Sequence, residues 1–146
     1  MLSEIVFRRL GEPAERSQAG ELLVAGGCVY RSPRLAGDER WSGLWNLTAA
    51  DGAALTAAAA TMRMSARILE VRALAARPGE HCPAMWARLV RELADTCRAR
   101  GAESMVAGFA GGDAAAEGLL RRAGFDTASD PGLPGLDSIK WVAREV

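Results

Sequence analysis

The sequence has few of the residues that several common kinds of active site need. It contains one histidine, His81, which excludes a metal site or a mechanism that requires two histidines. Its three cysteines, Cys28, Cys82 and Cys97, show no C-x-x-C spacing. We therefore expect neither a disulfide framework nor a cysteine-based zinc site, and no bound metal.

Net charge and long apolar runs are lacking as well. Basic and acidic residues number 18 each, so the formal net charge is zero, which removes the electrostatic basis for binding nucleic acid or an anionic membrane. No stretch of about 18 apolar residues is present, and the first ten residues lack the basic region and apolar run of a signal peptide. We expect a cytoplasmic protein without nucleic-acid or membrane partners.

Apolar residues make up 49% of the 146-residue chain, which is enough for one hydrophobic core. No linker or internal repeat divides the sequence, so we expect a single domain over residues 1–146. The predicted order is strand, helix, irregular segment, three strands, helix, strand, helix and two strands. This order predicts an α/β domain with a mixed sheet of about seven strands and about three to four flanking helices.

The first half of the chain contains one clear turn signal. Asp51-Gly52 predicts a hairpin between strands at residues 41–50 and 53–63. The second of these runs is rich in alanine and would be a helix by propensity alone, but the turn favours a strand. Before the hairpin we expect a strand at residues 5–7, a helix from residue 12 to about residue 25, and an irregular connection over residues 28–40.

The second half is organised around residues 66–100. An apolar strand at residues 68–76 leads through a tight turn into a long amphipathic helix, with Pro83 as its first residue. A strand that leads into a helix N-terminus forms a site suited to anions. Strands at residues 104–110, 125–128 and 138–143 and a helix at residues 114–123, with Asp113 as its N-cap, complete the chain.

The element order and the local sequence resemble the GNAT superfamily of acyl-CoA-dependent N-acyltransferases, over nearly the whole chain. The letters A-R-P at residues 76–78 stand where that family has V-x-P, and H-C-P-A-M-W at residues 81–86 stands where it has the phosphate turn R/Q-x-x-G-x-G/A. Asp113 takes the place of the asparagine of its N-x-x-A-x-x-x-Y helix. The letters A-G-F at residues 123–125 take the place of L-G-F.

The resemblance implies that acetyl-CoA or another acyl-CoA is the co-substrate and that a small-molecule amine is the acceptor. Backbone N–H groups of the turn and of the helix N-terminus would hold the CoA pyrophosphate. The cofactor-binding residues implied in this way are Leu74, Ala75, Ala76, His81, Cys82, Pro83, Ala84, Met85, Trp86 and Asp113.

Three departures from the family pattern bear on the chemistry. Pro83 removes one N–H donor, and Trp86 stands where the motif has its second small residue. The side chain of Trp86 either fills the space of the pyrophosphate or turns inward as core packing. The family's general acid is a tyrosine, whose place is taken here by Leu120, and the only tyrosine, Tyr30, lies in the irregular segment.

Glu70 is the candidate catalytic residue. It lies on the central strand, eleven residues before His81. The resemblance to histone-type family members implies that a strand glutamate at this spacing acts as the general base on the acceptor amine. The alternative is a structural glutamate that pairs with Arg72 or Arg67.

Three interpretations of function follow. The first is an N-acyltransferase, which predicts that acetyl-CoA stabilises the native state. The second is a GNAT-fold enzyme that no longer uses CoA, which predicts that Glu70→Gln is inactive although CoA does not bind. The third is a non-catalytic binding or assembly protein, which predicts that Glu70→Gln leaves function intact. The apolar last strand would suit the edge of a homodimer.

Overall fold

The computed structural model describes residues 6–9, 13–34, 45–51, 54–79, 82–129 and 138–146. The predictions for His81, for residues 35–40 and for residues 41–44 therefore lie outside the described residues. The elements in chain order are β1 (Val6–Arg9), α1 (Pro13–Leu22), β2 (Cys28–Arg31), β3 (Trp45–Asp51), β4 (Ala54–Arg63), β5 (Ile68–Ala76), α2 (Cys82–Ala99), β6 (Ser104–Ala110), α3 (Ala114–Arg122), β7 (Thr127–Ser129) and β8 (Ile139–Glu145).

The eight strands of the described residues form one mixed sheet, which confirms the predicted α/β class. The strand order is β1-β3-β4-β5-β6-β8-β7, and β2 pairs with β5 off this path. Strands β5 and β6 are parallel, and the other pairs are antiparallel. The parallel pair is joined by α2, because a parallel connection needs a crossover of a dozen or more residues.

The alanine-rich run is strand β4, as the Asp51-Gly52 turn predicts. Its residues 57–60 are at most 1% exposed. Helix α1 packs on one face of this part of the sheet and α2 packs on the other. A strand that is covered on both faces needs no alternation of polar and apolar side chains, which is why a continuous alanine run can form it.

The hydrophobic core has two layers, one on each face of the sheet. On one face, α2 contributes the seven apolar side chains that its amphipathic period predicts: Met85, Trp86, Leu89, Val90, Leu93, Ala94 and Cys97. Burial of a large apolar side chain stabilises the folded state by about 1–3 kcal/mol. On the other face, α1 contributes Ala19 and Leu22, and Leu23 follows directly after the helix. None of the three helices in the described part of the chain is long and apolar enough to cross a membrane.

The prediction of an irregular connection was wrong at residues 28–31. These residues form strand β2, which is antiparallel to the C-terminal half of β5 in the register Cys28↔Ala76 to Arg31↔Ala73. The strand has only four residues, and its partner lies far along the chain. Neither a long periodic pattern nor a hairpin turn could therefore indicate it.

Candidate functional site

Strands β5 and β6 separate after Glu70, and we call the space between their separating halves the cleft. The two strands pair only over three positions, ending at Glu70↔Val106. The register of β4 with β5 shifts so that β5 has one extra residue, Arg72, between the paired residues Val71 and Ala73. A bulge of this kind bends a strand. In open α/β sheets, ligands bind in a crevice at the carboxyl ends of the strands, and it is the carboxyl-terminal halves of β5 and β6 that do not pair.

Glu70 lies at the base of the cleft with 1% of its side chain exposed. Its Oε1 is 3.0 Å from Nε of Arg72, and its Oε2 is 3.2 Å from Nε of Arg34. Of the two partners proposed from the sequence, Arg72 is therefore found. Arg67 pairs on the surface with Glu103, at 3.7 Å.

The contacts of the Glu70 carboxylate are ionic and lack well-directed hydrogen bonds. Among the described residues, the two carboxylate oxygens of Glu70 have no hydrogen-bond partner of good geometry, and Nε of Arg72 has none either. The ion-pair distances are nevertheless short. Buried polar groups nearly always find such a partner. The carboxylate can therefore still accept a hydrogen bond from a molecule that enters the cleft.

Arg34 lies on the solvent side of Glu70. Its side chain is 26% exposed, whereas that of Arg72 is 12% exposed. The guanidinium carbon of Arg34 lies 5.8 Å from the ring centroid of Trp141 on β8, within the range of a cation–π contact. The Arg34 guanidinium thus contacts both the Glu70 carboxylate and an aromatic face.

Strand β2 lies in the cleft, on the edge of β5 that faces β6. The opposite edge of β5 pairs with β4 throughout the same stretch. The predicted cofactor-binding residues Leu74, Ala75 and Ala76 consequently have a strand on both sides, and all three are fully buried. The structure places them inside the sheet, with both edges of the backbone paired to other strands.

Tyr30 joins β2 to β6 across the cleft. Its side chain is 1% exposed, and its hydroxyl donates to the carbonyl of Gly108 at 2.5 Å. Burial raises the pKa of this hydroxyl well above its ordinary value. The sequence offers no signal for this role beyond the presence of a single tyrosine. Leu120, at the family's general-acid position, is fully buried in the core.

The N-terminus of α2 presents small, exposed residues. Pro83 and Ala84 are exposed, while Met85 and Trp86 are each 4% exposed and belong to the core. Of the two possibilities for Trp86, the structure has the inward one, since its ring packs in the core. The helix begins at Cys82, one residue before the predicted Pro83.

Asp113 caps α3, as the sequence predicts. Its side chain accepts a hydrogen bond from the backbone N–H of Ala116 at 3.0 Å. This contact satisfies one of the N–H groups at the helix start that have no partner within the helix.

Cys82 contacts the strand that lies in the cleft. The backbone N–H of Cys28 on β2 donates to Sγ of Cys82 at 3.0 Å, and Sγ of Cys82 lies 3.7 Å from the carbonyl oxygen of Ala76. Burial, and then the neighbouring Cys82 thiol, raise the pKa of the Cys28 thiol to about 11. The two thiols therefore lie together although 54 positions separate them. Within the described ranges, no three His, Cys, Asp or Glu side chains form a group that could hold a metal ion.

Comparison with known proteins identifies the fold. No protein-family model matches the sequence, and no curated protein matches it significantly. A GNAT-family protein from Desulfovibrio desulfuricans superposes with a TM-score of 0.71 at 16% identity, over 97% of this chain and 98% of that one. A GNAT acetyltransferase from Elizabethkingia anophelis, solved with acetyl-CoA bound, gives a TM-score of 0.67 at 11% identity, over 98% and 99% of the two chains.

An aminoglycoside 6'-N-acetyltransferase from Enterococcus faecium gives a TM-score of 0.68 at 14% identity, over 96% of each chain. At these identities the likeness establishes the fold. The chain has the GNAT fold over nearly its whole length, which confirms the resemblance found in the sequence.

Proposed function

We propose that the protein is an N-acyltransferase that moves an acetyl or other acyl group from CoA to a small-molecule amine. The position of Glu70 carries this proposal, because Glu70 is the last residue of β5 that pairs with β6 and is buried where the two strands separate. The similar structures support it, since several are acetyltransferases and one holds acetyl-CoA.

In this reaction the amine nitrogen attacks the thioester carbonyl carbon, an amide bond forms, and the bond from that carbon to sulfur breaks. Glu70 would accept the proton that the amine gives up, directly or through a water molecule. For this the amine must reach the carboxylate, and Arg34 is the neighbour that can give way because it is the more exposed of the two arginines. Leu120 cannot donate a proton, so the departing sulfur would take one from solvent.

The N-terminus of α2 would bind the pyrophosphate of CoA. A helix N-terminus favours anions through its dipole and its free N–H groups. The N–H of Cys82 donates to the Gly79 carbonyl at 3.1 Å, and Pro83 has no N–H, so the amides from Ala84 onward would make these contacts. The inward position of Trp86 leaves room for the ligand on the outer face.

Calorimetry and thermal melting with acetyl-CoA and CoA test the donor, and release of the CoA thiol in the presence of a panel of amines tests the transfer. We expect acetyl-CoA to raise the melting temperature by mass action. Glu70→Gln should lower the transfer rate by about 100-fold or more while CoA still binds. The control is Glu103→Gln, a surface glutamate with 67% of its side chain exposed, which should transfer at the rate of the natural protein. A folded protein that binds neither compound at millimolar concentration would contradict the proposal.

A GNAT-fold enzyme that does not use CoA is the second candidate. The position of β2 favours it, because β2 pairs with the stretch of β5 that the family resemblance assigns to the cofactor. It predicts that CoA neither binds nor competes with the true substrate, whereas Glu70→Gln still abolishes the reaction.

A further inference from the structure

Residues 28–34, which we call the cleft segment, cover one edge of the C-terminal half of β5. This is the edge that faces β6. The four residues of β2 pair with residues 73–76, and the N–H of Ser32 donates to the carbonyl of Arg72 at 2.8 Å. An extended ligand that carries amide groups, such as the pantetheine arm of CoA, binds an open sheet edge through the same kind of hydrogen bonds. It cannot do so while the cleft segment holds that edge.

The end of the cleft segment places a cation beside the candidate base. The guanidinium of Arg34 lies 3.2 Å from Oε2 of Glu70 and over the ring of Trp141. A carboxylate opposite an aromatic face is also the environment that binds a ligand's ammonium group. The cleft segment thus supplies a strand where the pantetheine arm of acyl-CoA would lie. It also supplies a cation where the ammonium group of the amine substrate would lie.

The cleft segment is held largely by polar contacts, which a ligand can exchange. They are the hydrogen bonds of β2 and Ser32 with β5, the hydrogen bond of Cys28 with Cys82, and the contacts of Arg34 with Glu70, Arg72 and Trp141. Its apolar packing comes from Tyr30, Cys28 and Val29. The approach of the segment to β5 also depends on Gly27. A Cβ atom at this position would lie 2.1 Å from the carbonyl oxygen of Ala76 and 2.7 Å from the nitrogen of Pro78, so only glycine allows the observed spacing.

From these observations we propose that the cleft segment is an autoinhibitory element that occupies both ligand places and must leave β5 before acyl-CoA and amine can bind together. This proposal rests on the proposed acyl transfer, because that reaction defines the two places. The apparent dissociation constant for acyl-CoA is then the intrinsic dissociation constant divided by the fraction of molecules in which the segment has left the cleft.

The first experiment compares acetyl-CoA binding by calorimetry in the natural protein, Gly27→Ala and Gly20→Ala. The added methyl at position 27 collides with the backbone of Ala76 and Pro78 and pushes the segment off β5. We expect Gly27→Ala to bind acetyl-CoA about tenfold more tightly, because more molecules are open. Gly20→Ala adds the same methyl where no atom lies within 4 Å, and it should bind as the natural protein does.

The second experiment measures amide hydrogen exchange with and without acetyl-CoA. If the ligand replaces the segment, exchange at residues 28–31 rises when acetyl-CoA binds, while residues 73–76 stay protected because the ligand takes over that edge. Unchanged protection of residues 28–31 in the saturated protein would show that the ligand binds without displacing the segment, which overturns the proposal.

Should circular dichroism show that Gly27→Ala is unfolded, Arg34→Ala tests the same point from the other end of the segment. It removes the ion pair with Glu70 and should also bind acetyl-CoA more tightly. Its matched control is Arg67→Ala, which removes an arginine whose side chain is 73% exposed and pairs with Glu103 on the surface.

The outcomes separate this proposal from the function on which it rests. Equal acetyl-CoA affinity in the natural protein, the segment variants and the controls would overturn autoinhibition and leave the acyl transfer standing. No binding by any of these proteins, including a folded variant whose residues 28–31 exchange rapidly, would overturn the acyl transfer and the autoinhibition with it.

Discussion

The hydroxyl of Tyr30 donates a 2.5 Å hydrogen bond to the carbonyl oxygen of Gly108, which lies 78 positions further along the chain. On one side, Gly108 pairs with Trp141 of β8. On the other side, its carbonyl accepts the hydrogen bond from Tyr30. One hydroxyl group therefore links β2 to β6 where β6 no longer pairs with β5. It helps to hold the chain's own strand in the space where a ligand is expected.

Tyr30→Phe should lower the free energy of unfolding by about 1–3 kcal/mol, because it leaves the buried carbonyl of Gly108 without its donor. Urea denaturation measures the change. Thr127→Val is a suitable control, since it removes an exposed hydroxyl that donates to the neighbouring Asp126 at 3.3 Å and should change stability by less than about 0.5 kcal/mol. A similarly small change in Tyr30→Phe would mean that this hydrogen bond contributes little.

Gly108→Ala should destabilise the fold by about 1–3 kcal/mol through overpacking. A Cβ atom there would lie 2.8 Å from Cγ2 of Ile139 and 3.2 Å from the ring of Trp141. The matched control is Gly118→Ala on α3, where nothing lies within 4 Å and alanine should stabilise the helix by about 0.5–1 kcal/mol. Thermal melting of both variants checks the expectation, which fails if Gly108→Ala melts at or above the temperature of the natural protein.

Mild oxidation with diamide should join Cys28 to Cys82, because the two thiols lie together. Each thiol loses one hydrogen to form the S–S bond, and diamide takes up both hydrogens with their electrons. The reaction should quicken as the pH rises toward the raised pKa of about 11 for Cys28, since the thiolate is the reacting form. Peptide mapping by mass spectrometry identifies the bond.

Cys28→Ser provides the control, because it can form no such bond. The oxidised natural protein should lose acetyl-CoA binding, since the bond ties β2 to the start of α2 and so keeps β2 in the cleft, whereas oxidised Cys28→Ser should retain it. Recovery of three free thiols after treatment of the folded protein would show that the Cys28 and Cys82 sulfurs do not approach closely enough to react.

Stability should fall as the pH rises above 9. Burial raises the pKa of the Cys28 and Cys97 thiols from 9.0 to about 11, and it also raises the pKa of the Tyr30 hydroxyl. Above pH 9 the unfolded chain therefore loses protons that the folded protein keeps, so stability is full below that pH and decreases from there toward 11. Urea midpoints between about pH 7 and pH 10.5 measure the trend.

In Cys97→Ala the fall in stability should be shallower, whatever that substitution does at neutral pH, because one of the buried thiols is absent. A urea midpoint that stays level or rises through the alkaline range in the natural protein would contradict the expectation.

Much of the second half of the fold could be predicted from the sequence. Strand β5 has the predicted bounds, α2 buries the face that the period of its apolar residues indicates, and Asp113 caps α3. These features depend on residues a few positions apart, so the local sequence is enough to specify them. The ion pair of Glu70 with Arg72 is equally local, and it is one of the two pairings that the sequence suggests.

Strand β2 and Arg34 could not be placed in the same way. Cys28 and Tyr30 pair with residues of β5 that lie 44 or more positions away, and a four-residue strand has too little pattern to specify a partner. The family resemblance names Leu74, Ala75 and Ala76 as cofactor-binding residues, but whether the edge of β5 beside them is open depends on the whole sheet.

The sequence by itself therefore determined the strand and the helix within residues 66–100, because neighbouring side chains specify both, and its resemblance to the GNAT superfamily singled out Glu70 as the candidate base. Only the tertiary structure decided what lies beside that base. Residues 28–34 and Glu70 meet because β5 and β6 stop pairing after Glu70 and leave an edge of β5 that β2 fills. Pairing between segments far apart in the chain, such as β2 and β5, depends on which strand edges the assembled sheet leaves unpaired. The local sequence does not specify this.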